Sequence, residues 1–315
     1  MTASGGATST PPLRFEHVAA FYAGPEGALG ACLGFVREAL QHREPVLVAL
    51  APERNEELRS ALDDDADLVE FVDMTELGRN PARIIPRWQA FLEDAGGSGP
   101  VRGIGEPAWP GRTRDAYVEA ALHESLLNLA FDDGRPWRLL CPYDLTGLPP
   151  DVLEEARRTH PVVHDEPSGA TTYAGHGHAQ GAFAAGLPAA PDDADGVEFD
   201  GADLGLVRDL VRRLAEASRL SPAAAENLAL SVHELATNSV RHGGGHGLLS
   251  FWNEADGIVV EVRDGGHIRD PLVGRQLPGL MQEGGRGVWM ANQLCDLVQV
   301  RSGEQGTQVR VRMSP

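Results

Sequence analysis

The chain has 315 residues, 42% hydrophobic and 23% charged, enough for two ordinary globular domains that each bury their own core. A formal net charge of −19 argues against a nucleic-acid binder and against a polybasic membrane contact, and suits a basic partner face. Three scattered cysteines, Cys32, Cys141 and Cys295, with no CxxC, argue against a disulfide framework or a zinc knuckle and point to a reducing cytoplasm.

Residues 1–12 are rich in Thr, Ser, Ala and Gly, with neither a basic start nor an apolar core; they read as a disordered lead and not a signal peptide. No run reaches the length of a transmembrane helix. Abundant Ala, Gly, Arg and Asp with little Lys suggest a GC-rich bacterial genome.

The first globular segment spans 13–166. Residues 27–41 read as an amphipathic helix with Leu29, Cys32, Leu33, Val36 and Leu40 on one face, stopped by Pro45. There follow a strand at 46–50, a helix at 55–62, a strand at 68–72 and a helix at 82–95 that breaks at 96–100. A strand at 101–106, a helix at 117–130 and a strand at 137–141 complete the series. Alternating strands and helices predict an α/β domain on a parallel sheet. Residues 167–195, rich in Gly, Ala, Pro, His and Asp, read as a flexible linker. Its His176 and His178 supply too few ligands for a metal.

From 196 to 315 the pattern changes. A short strand at 197–199 precedes a helix at 204–219 with Leu206, Leu210 and Leu214 in register. Ser221-Pro222 starts a second helix that runs to His242 and stops at Gly243-Gly244-Gly245. Strands at 248–253 and 258–263, a loop at 267–283, a helix at 287–295 and strands at 297–301 and 307–313 predict an α+β two-layer sandwich.

Glu234, Asn238 and His242 stand four apart on the second helix and share a face, opposite Leu228, Val232 and Leu235. An Asn oxygen suits Mg²⁺ shared with phosphates, and a Glu one turn away can orient or deprotonate a nucleophile. Asp264-Gly265-Gly266 ends a strand, where a carboxylate can accept from an exocyclic amine while glycines admit a flat base. Gly284-Gly285-Arg286-Gly287 opens a helix whose N–H groups suit phosphates, and the Thr307 hydroxyl can bond the base or Asp264.

In their order and spacing these pieces resemble the GHKL superfamily of ATPases (the Bergerat ATP-binding fold), in the subgroup of anti-sigma-factor serine kinases. Residues 234–242, ELATNSVRH, stand at the N box, Asp264 and Gly266 at the DxG box, Gly285 and Gly287 at the second glycine box, and Thr307 at the GT of the last strand pair. The resemblance implies ATP and Mg²⁺ as cofactors, Asn238 as Mg²⁺ ligand, Asp264 reading adenine, Glu234 as catalytic base, and Arg286 on a phosphate. The lid, 267–283, departs from the family in lacking a clean GxG. His233-Glu234-Leu235 imitates a histidine-kinase phosphoacceptor, but His233 points about 100° away from Glu234 and reads as a packing or surface residue.

Residues 15–164 resemble the MEDS sensory domain, which implies a RecA-like fold and signal sensing. His17, Phe21 and Tyr22, then Glu106, Cys141, Tyr143, Asp144 and His160-Pro161 carry that resemblance. Two of these groups read as following apolar strands, at the carboxyl edge of the sheet where ligands sit. No GxxxxGK[ST] occurs, so Walker chemistry is not expected. Cys141 reads as a small core residue, and His17, His123 and His160 as capped or solvated, with only one cysteine in reach for a Cys/His site. His123-Glu124 offers a weaker imitation of a phosphoacceptor.

The whole layout looks like the RsbA family of anti-sigma regulators. It implies transfer of the ATP γ-phosphoryl to a Ser or Thr of an anti-anti-sigma (STAS) partner, with a sigma factor as the competing partner, and homodimerisation left open. Two other readings are a docking module that holds ATP without transfer and a histidine kinase, for which the linker supplies no dimerisation helices.

Overall fold

The computed structural model describes residues 15–97, 99–132, 136–164, 172–278 and 285–315. The lead at 1–12, residues 13–14 and 165–171, the end of the lid at 279–283, and Gly284 lie outside the described residues.

The first domain begins with a strand that the periodicity does not reveal, β1 (Phe15–Tyr22). Glu16 and His17 interrupt its apolar run, yet His17 is buried with Val18, Ala19 and Ala20. Then come α1 (Gly24–Gln41), β2 (Val46–Leu50), α2 (Pro52–Leu62), β3 (Val69–Asp73), the single turn α3 (Met74–Leu77), α4 (Ile84–Asp94) and β4 (Val101–Gly105). The series ends with α5 (Arg114–Ala130), β5 (Trp137–Asp144), α6 (Pro150–Thr159) and β6 (Val162–Val163). Six strands pair in parallel in the order β3-β2-β4-β5-β1-β6. β2 and β4 are buried at every position, as a sheet covered on both faces requires. Proline opens both α2 and α6, where its missing N–H costs nothing. β5 extends beyond the expected 137–141 through Asp144, so Tyr143 and Asp144 lie within the strand and not after it.

The expected linker is not featureless. It contains α7 (Gly177–Ala184), which buries Ala179 and Phe183, one turn apart, against the core beside α5. Its His178 pairs with Glu155 of α6.

In the second domain, β7 (Asp195–Asp200), α8 (Leu204–Ala217), α9 (Pro222–His242), β8 (His246–Glu254), β9 (Gly257–Asp264), α10 (Arg286–Leu294), β10 (Leu297–Gly303) and β11 (Gly306–Met313) form an α+β sandwich. The strands pair antiparallel in the order β10-β11-β9-β8-β7. α9 packs on the sheet with α8 and α10 beside it. The Ser221 hydroxyl accepts from Ala224 N at 3.2 Å, capping α9. On α8 the buried face is Val207, Val211 and Ala215, not the leucine register. Leu206 is 68% exposed, and Leu210 and Leu214 reach only the edge of the core. The smaller side chains win because they admit α8 closely against α9.

The two domains meet across a polar, buried seam. Glu119 of α5, with no exposed surface, binds Arg301 of β10 and Arg275, the latter at 2.8 Å. Arg83 donates to the carbonyls of Asn292 and Cys295 at 2.8 and 2.7 Å, satisfying the C-terminal end of α10. Asn80 donates to the Asn292 carbonyl at 3.0 Å, and Arg312 to Asp115 at 2.9 Å. No helix among the described residues is long and apolar enough to cross a membrane.

Candidate functional site

α9 buries Leu228, Val232 and Leu235 on the sheet and turns Glu234, Asn238 and His242 to the other side, as their spacing predicts. That side walls a cavity of about 540 Å³. All nine residues expected of the site line it: Glu234, Asn238, His242, Asp264, Gly266, Gly285, Arg286, Gly287 and Thr307. They come from α9, the end of β9, the start of α10 and the start of β11. Val262, Val309 and Ile268 give it an apolar floor. A polar rim over such a floor fits a ligand with one flat apolar part and one charged part.

Asp264 is held rigidly. Ser239 Oγ donates to its Oδ2 at 2.6 Å, and Gly266 N donates to its Oδ1 at 2.7 Å. Ser239 is a site residue that the motif reading passes over. The signal was present, since it directly follows Asn238 and is buried on a polar helix face. The Thr307 hydroxyl does not bond Asp264; it donates to the Gly266 carbonyl at 3.0 Å and meets Ser302 Oγ at 2.9 Å. Thr307 therefore fixes the backbone of the glycine turn while pairing with Asp264 only through the strand register.

At the other end, Gly285 caps α10 with φ +85°, a conformation that glycine adopts without strain. A Cβ on Gly287 would stand 2.9 Å from Asn238 Nδ2 and 3.4 Å from Glu234 Oε2. Only glycine lets α10 bring its N-terminal amides this close to the α9 polar stripe, and a helix N-terminus beside an Asn and a Glu suits a metal-chelated phosphate. His233 donates through Nδ1 to the Leu204 carbonyl at 3.3 Å, a packing role as read. The described part of the lid is anchored to the first domain by Arg275, one residue beyond the Gly274 carbonyl that accepts from Asn292 Nδ2 at 2.8 Å.

The residues singled out in the first domain separate into two groups. Tyr22 and Glu106, at the carboxyl ends of β1 and β4, both bind Arg54 of α2, a partner not foreseen. Burial pushes the Glu106 carboxyl up to about 7 while Arg54 pulls against that rise. Burial likewise raises the Tyr22 hydroxyl. The second group is His17, Cys141 and His160, which converge on Glu124 of α5; all four are at most 2% exposed. These histidines are not solvated, and His160 caps α6, its Nδ1 donating to the Ala156 carbonyl at 2.7 Å. Tyr143 belongs here, donating to Glu124 Oε2 at 3.0 Å. His123, also buried, points elsewhere on α5, and burial drives its pKa down to about 3. Asp144 joins neither group; its Oδ1 accepts from Thr146 N at 2.9 Å and shapes a turn.

Comparison with known families agrees with both halves of this geometry. Residues 16–161 match the MEDS family, the MEthanogen/methylotroph, DcmR Sensory domain, and residues 197–313 match the histidine kinase-like ATPase domain. A search of curated proteins finds no match to the chain. The parallel six-stranded sheet is thus a MEDS sensory domain, and the antiparallel five-stranded sandwich behind it is a histidine kinase-like, GHKL-type ATPase domain.

Proposed function

We propose that the chain is a bacterial anti-sigma regulator. It binds ATP-Mg²⁺ in the second domain and transfers the γ-phosphoryl to a Ser or Thr of an anti-anti-sigma (STAS) partner, under control of the sensory domain. The observation that supports this most is the convergence of Glu234, Asn238 and Asp264 on one cavity with the glycine-framed start of α10. Asn238 supplies an oxygen to Mg²⁺, Asp264 accepts from the adenine amine, and Arg286 and the α10 amides hold phosphates. Glu234 removes the proton of the attacking hydroxyl as the O–P bond forms and ADP leaves. The acidic chain, at −19, suits a basic face on a sigma factor. Three free, buried cysteines suit a cytoplasmic setting.

The test uses purified full-length chain with radiolabelled ATP, Mg²⁺ and a STAS protein encoded beside it. Label on a Ser or Thr of the partner is expected, and Glu234→Ala abolishes transfer while nucleotide affinity stays within about threefold. Binding without transfer in the wild type establishes a docking module instead. Acid-labile label on the chain itself establishes a histidine kinase.

A further inference from the structure

We propose that His17, Glu124, Cys141 and His160 form a binding site for a divalent transition-metal ion inside the sensory domain, with Zn²⁺ the best match. The proposal is independent of any transfer chemistry in the second domain. It rests first on which atoms face each other. One donor atom from each of the four side chains lies within 4.8 Å of all the others. His17 Nε2 is 3.4 Å from Cys141 Sγ and 3.3 Å from Glu124 Oε2, and His160 Nε2 is 2.8 Å from the same carboxylate oxygen. Tetrahedral zinc with bonds of ~2.0–2.3 Å sets neighbouring ligand atoms ~3.3–3.6 Å apart. The two His17 contacts have that spacing, His160 Nε2 lies closer to the carboxylate, and the remaining pairs lie within 4.8 Å.

The hydrogen bonds around the cluster point the same way. His17 Nδ1 donates to Asn128 Oδ1 at 3.2 Å, and His160 Nδ1 donates to the Ala156 carbonyl at 2.7 Å. Each outer bond fixes the tautomer, so both Nε2 atoms present lone pairs to a carboxylate that presents lone pairs in return. With these tautomers no donor stands between His160 Nε2 and Glu124 Oε2, 2.8 Å apart, and a cation there replaces their repulsion with bonds. Buried His160 Nε2 has no hydrogen-bond partner, the kind of orphan a bound ion satisfies. A His that ligates through one nitrogen and donates through the other to a carbonyl, and a ligating carboxylate that itself accepts a hydrogen bond (here from Tyr143), are the expected outer arrangement.

Charge and access also fit. One thiolate and one carboxylate neutralise a divalent ion at this buried position. A cavity of about 390 Å³ has Glu124 and Tyr143 in its wall and supplies a route to the cluster.

The experiment measures metal in untagged full-length protein, expressed with added zinc or iron, by plasma mass spectrometry. About one equivalent per chain is expected, falling at least tenfold in Cys141→Ser and in His160→Ala and unchanged in Cys32→Ser, whose thiol lies in α1 away from the cluster. Asn128→Ala, which removes only the outer bond, weakens affinity about 10–100-fold. Folding is checked by circular dichroism. A second measurement needs no variant: Co²⁺ added to chelator-stripped wild type gives a thiolate-to-cobalt charge-transfer band and tetrahedral d–d bands. The proposal is overturned if the wild type holds less than about a tenth of an equivalent and takes up Co²⁺ without a charge-transfer band. It is equally overturned if the cluster variants keep wild-type metal. Either result leaves a shared proton between Glu124 and a histidine as the sole occupant.

Discussion

Helices α5 and α9 both carry acids, amides and histidines at helical spacing, and they use them in opposite ways. α9 turns Glu234, Asn238 and His242 to an open cavity and keeps its other face apolar. α5 buries Glu119, His123, Glu124 and Asn128 and satisfies its acids with partners from elsewhere in the chain. On α9 water or a ligand can complete the polar groups, so the folded chain alone leaves them available. On α5 the protein completes Glu119 itself through Arg275 and Arg301, a structural commitment, while Glu124 faces His17, Cys141 and His160. The lesson is that a polar stripe reached by solvent announces an open site, whereas a buried one announces either a contact, as at Glu119, or a closed cluster, as at Glu124.

The largest effect expected from that contrast is at Glu119. Arg275 and Arg301 are 4% exposed, so Glu119→Ala strands two buried charges and costs about 3–5 kcal/mol of stability, read by denaturant unfolding. A loss below about 1 kcal/mol breaks the contrast, because α5 would then tolerate vacancy as α9 does. Next is the buried acid at the sheet edge, Glu106. Its folded pKa of about 7 lies above the ordinary 4.5, so its contribution to stability is complete below about pH 4.5 and is lost as pH rises through 7. The window is worth roughly 3 kcal/mol at most, and Glu106→Gln should flatten it in melts at successive pH values.

On the open side the effects fall on binding. Asp264→Ala should weaken ATP about 10–100-fold by calorimetry, and Ser239→Ala less, since Ser239 only orients the carboxylate. Stability of either variant should change by less than the Glu119 variant does. The smallest effect is at Leu206, whose exposure predicts that Leu206→Gln stays within about 0.5 kcal/mol, whereas Val211→Ala on the buried face costs about 1–3 kcal/mol.

What could be read in the sequence follows the same division. The α9 stripe, the Asp264 turn and the Gly285–Gly287 helix start are each contiguous, and their local spacing dictates which way they face. All nine residues expected there line one cavity. The first domain's strand-helix alternation was equally legible, because a parallel sheet imposes long apolar runs. β1 was not, because His17 interrupts its pattern while being buried itself. The partners of His17 stand 107, 124 and 143 positions away, brought together by the parallel register of β1 with β5 and β6 and by α5 packed against β1. α7 escaped notice because a single pair, Ala179 and Phe183, anchors it within a glycine-rich stretch. The seam of Glu119 with Arg275 and Arg301 likewise joins residues with no local signature.

One consequence of that seam concerns reciprocity. Glu119 and Glu124 ride on the same stiff rod of α5, about 7.5 Å apart along its axis. The first grips the nucleotide lid through Arg275, and the second faces the interior of the sensory sheet. Were an effector to favour another seating of this rod, the grip on the lid would shift with it. By thermodynamic necessity, nucleotide then alters that effector's affinity by the same factor.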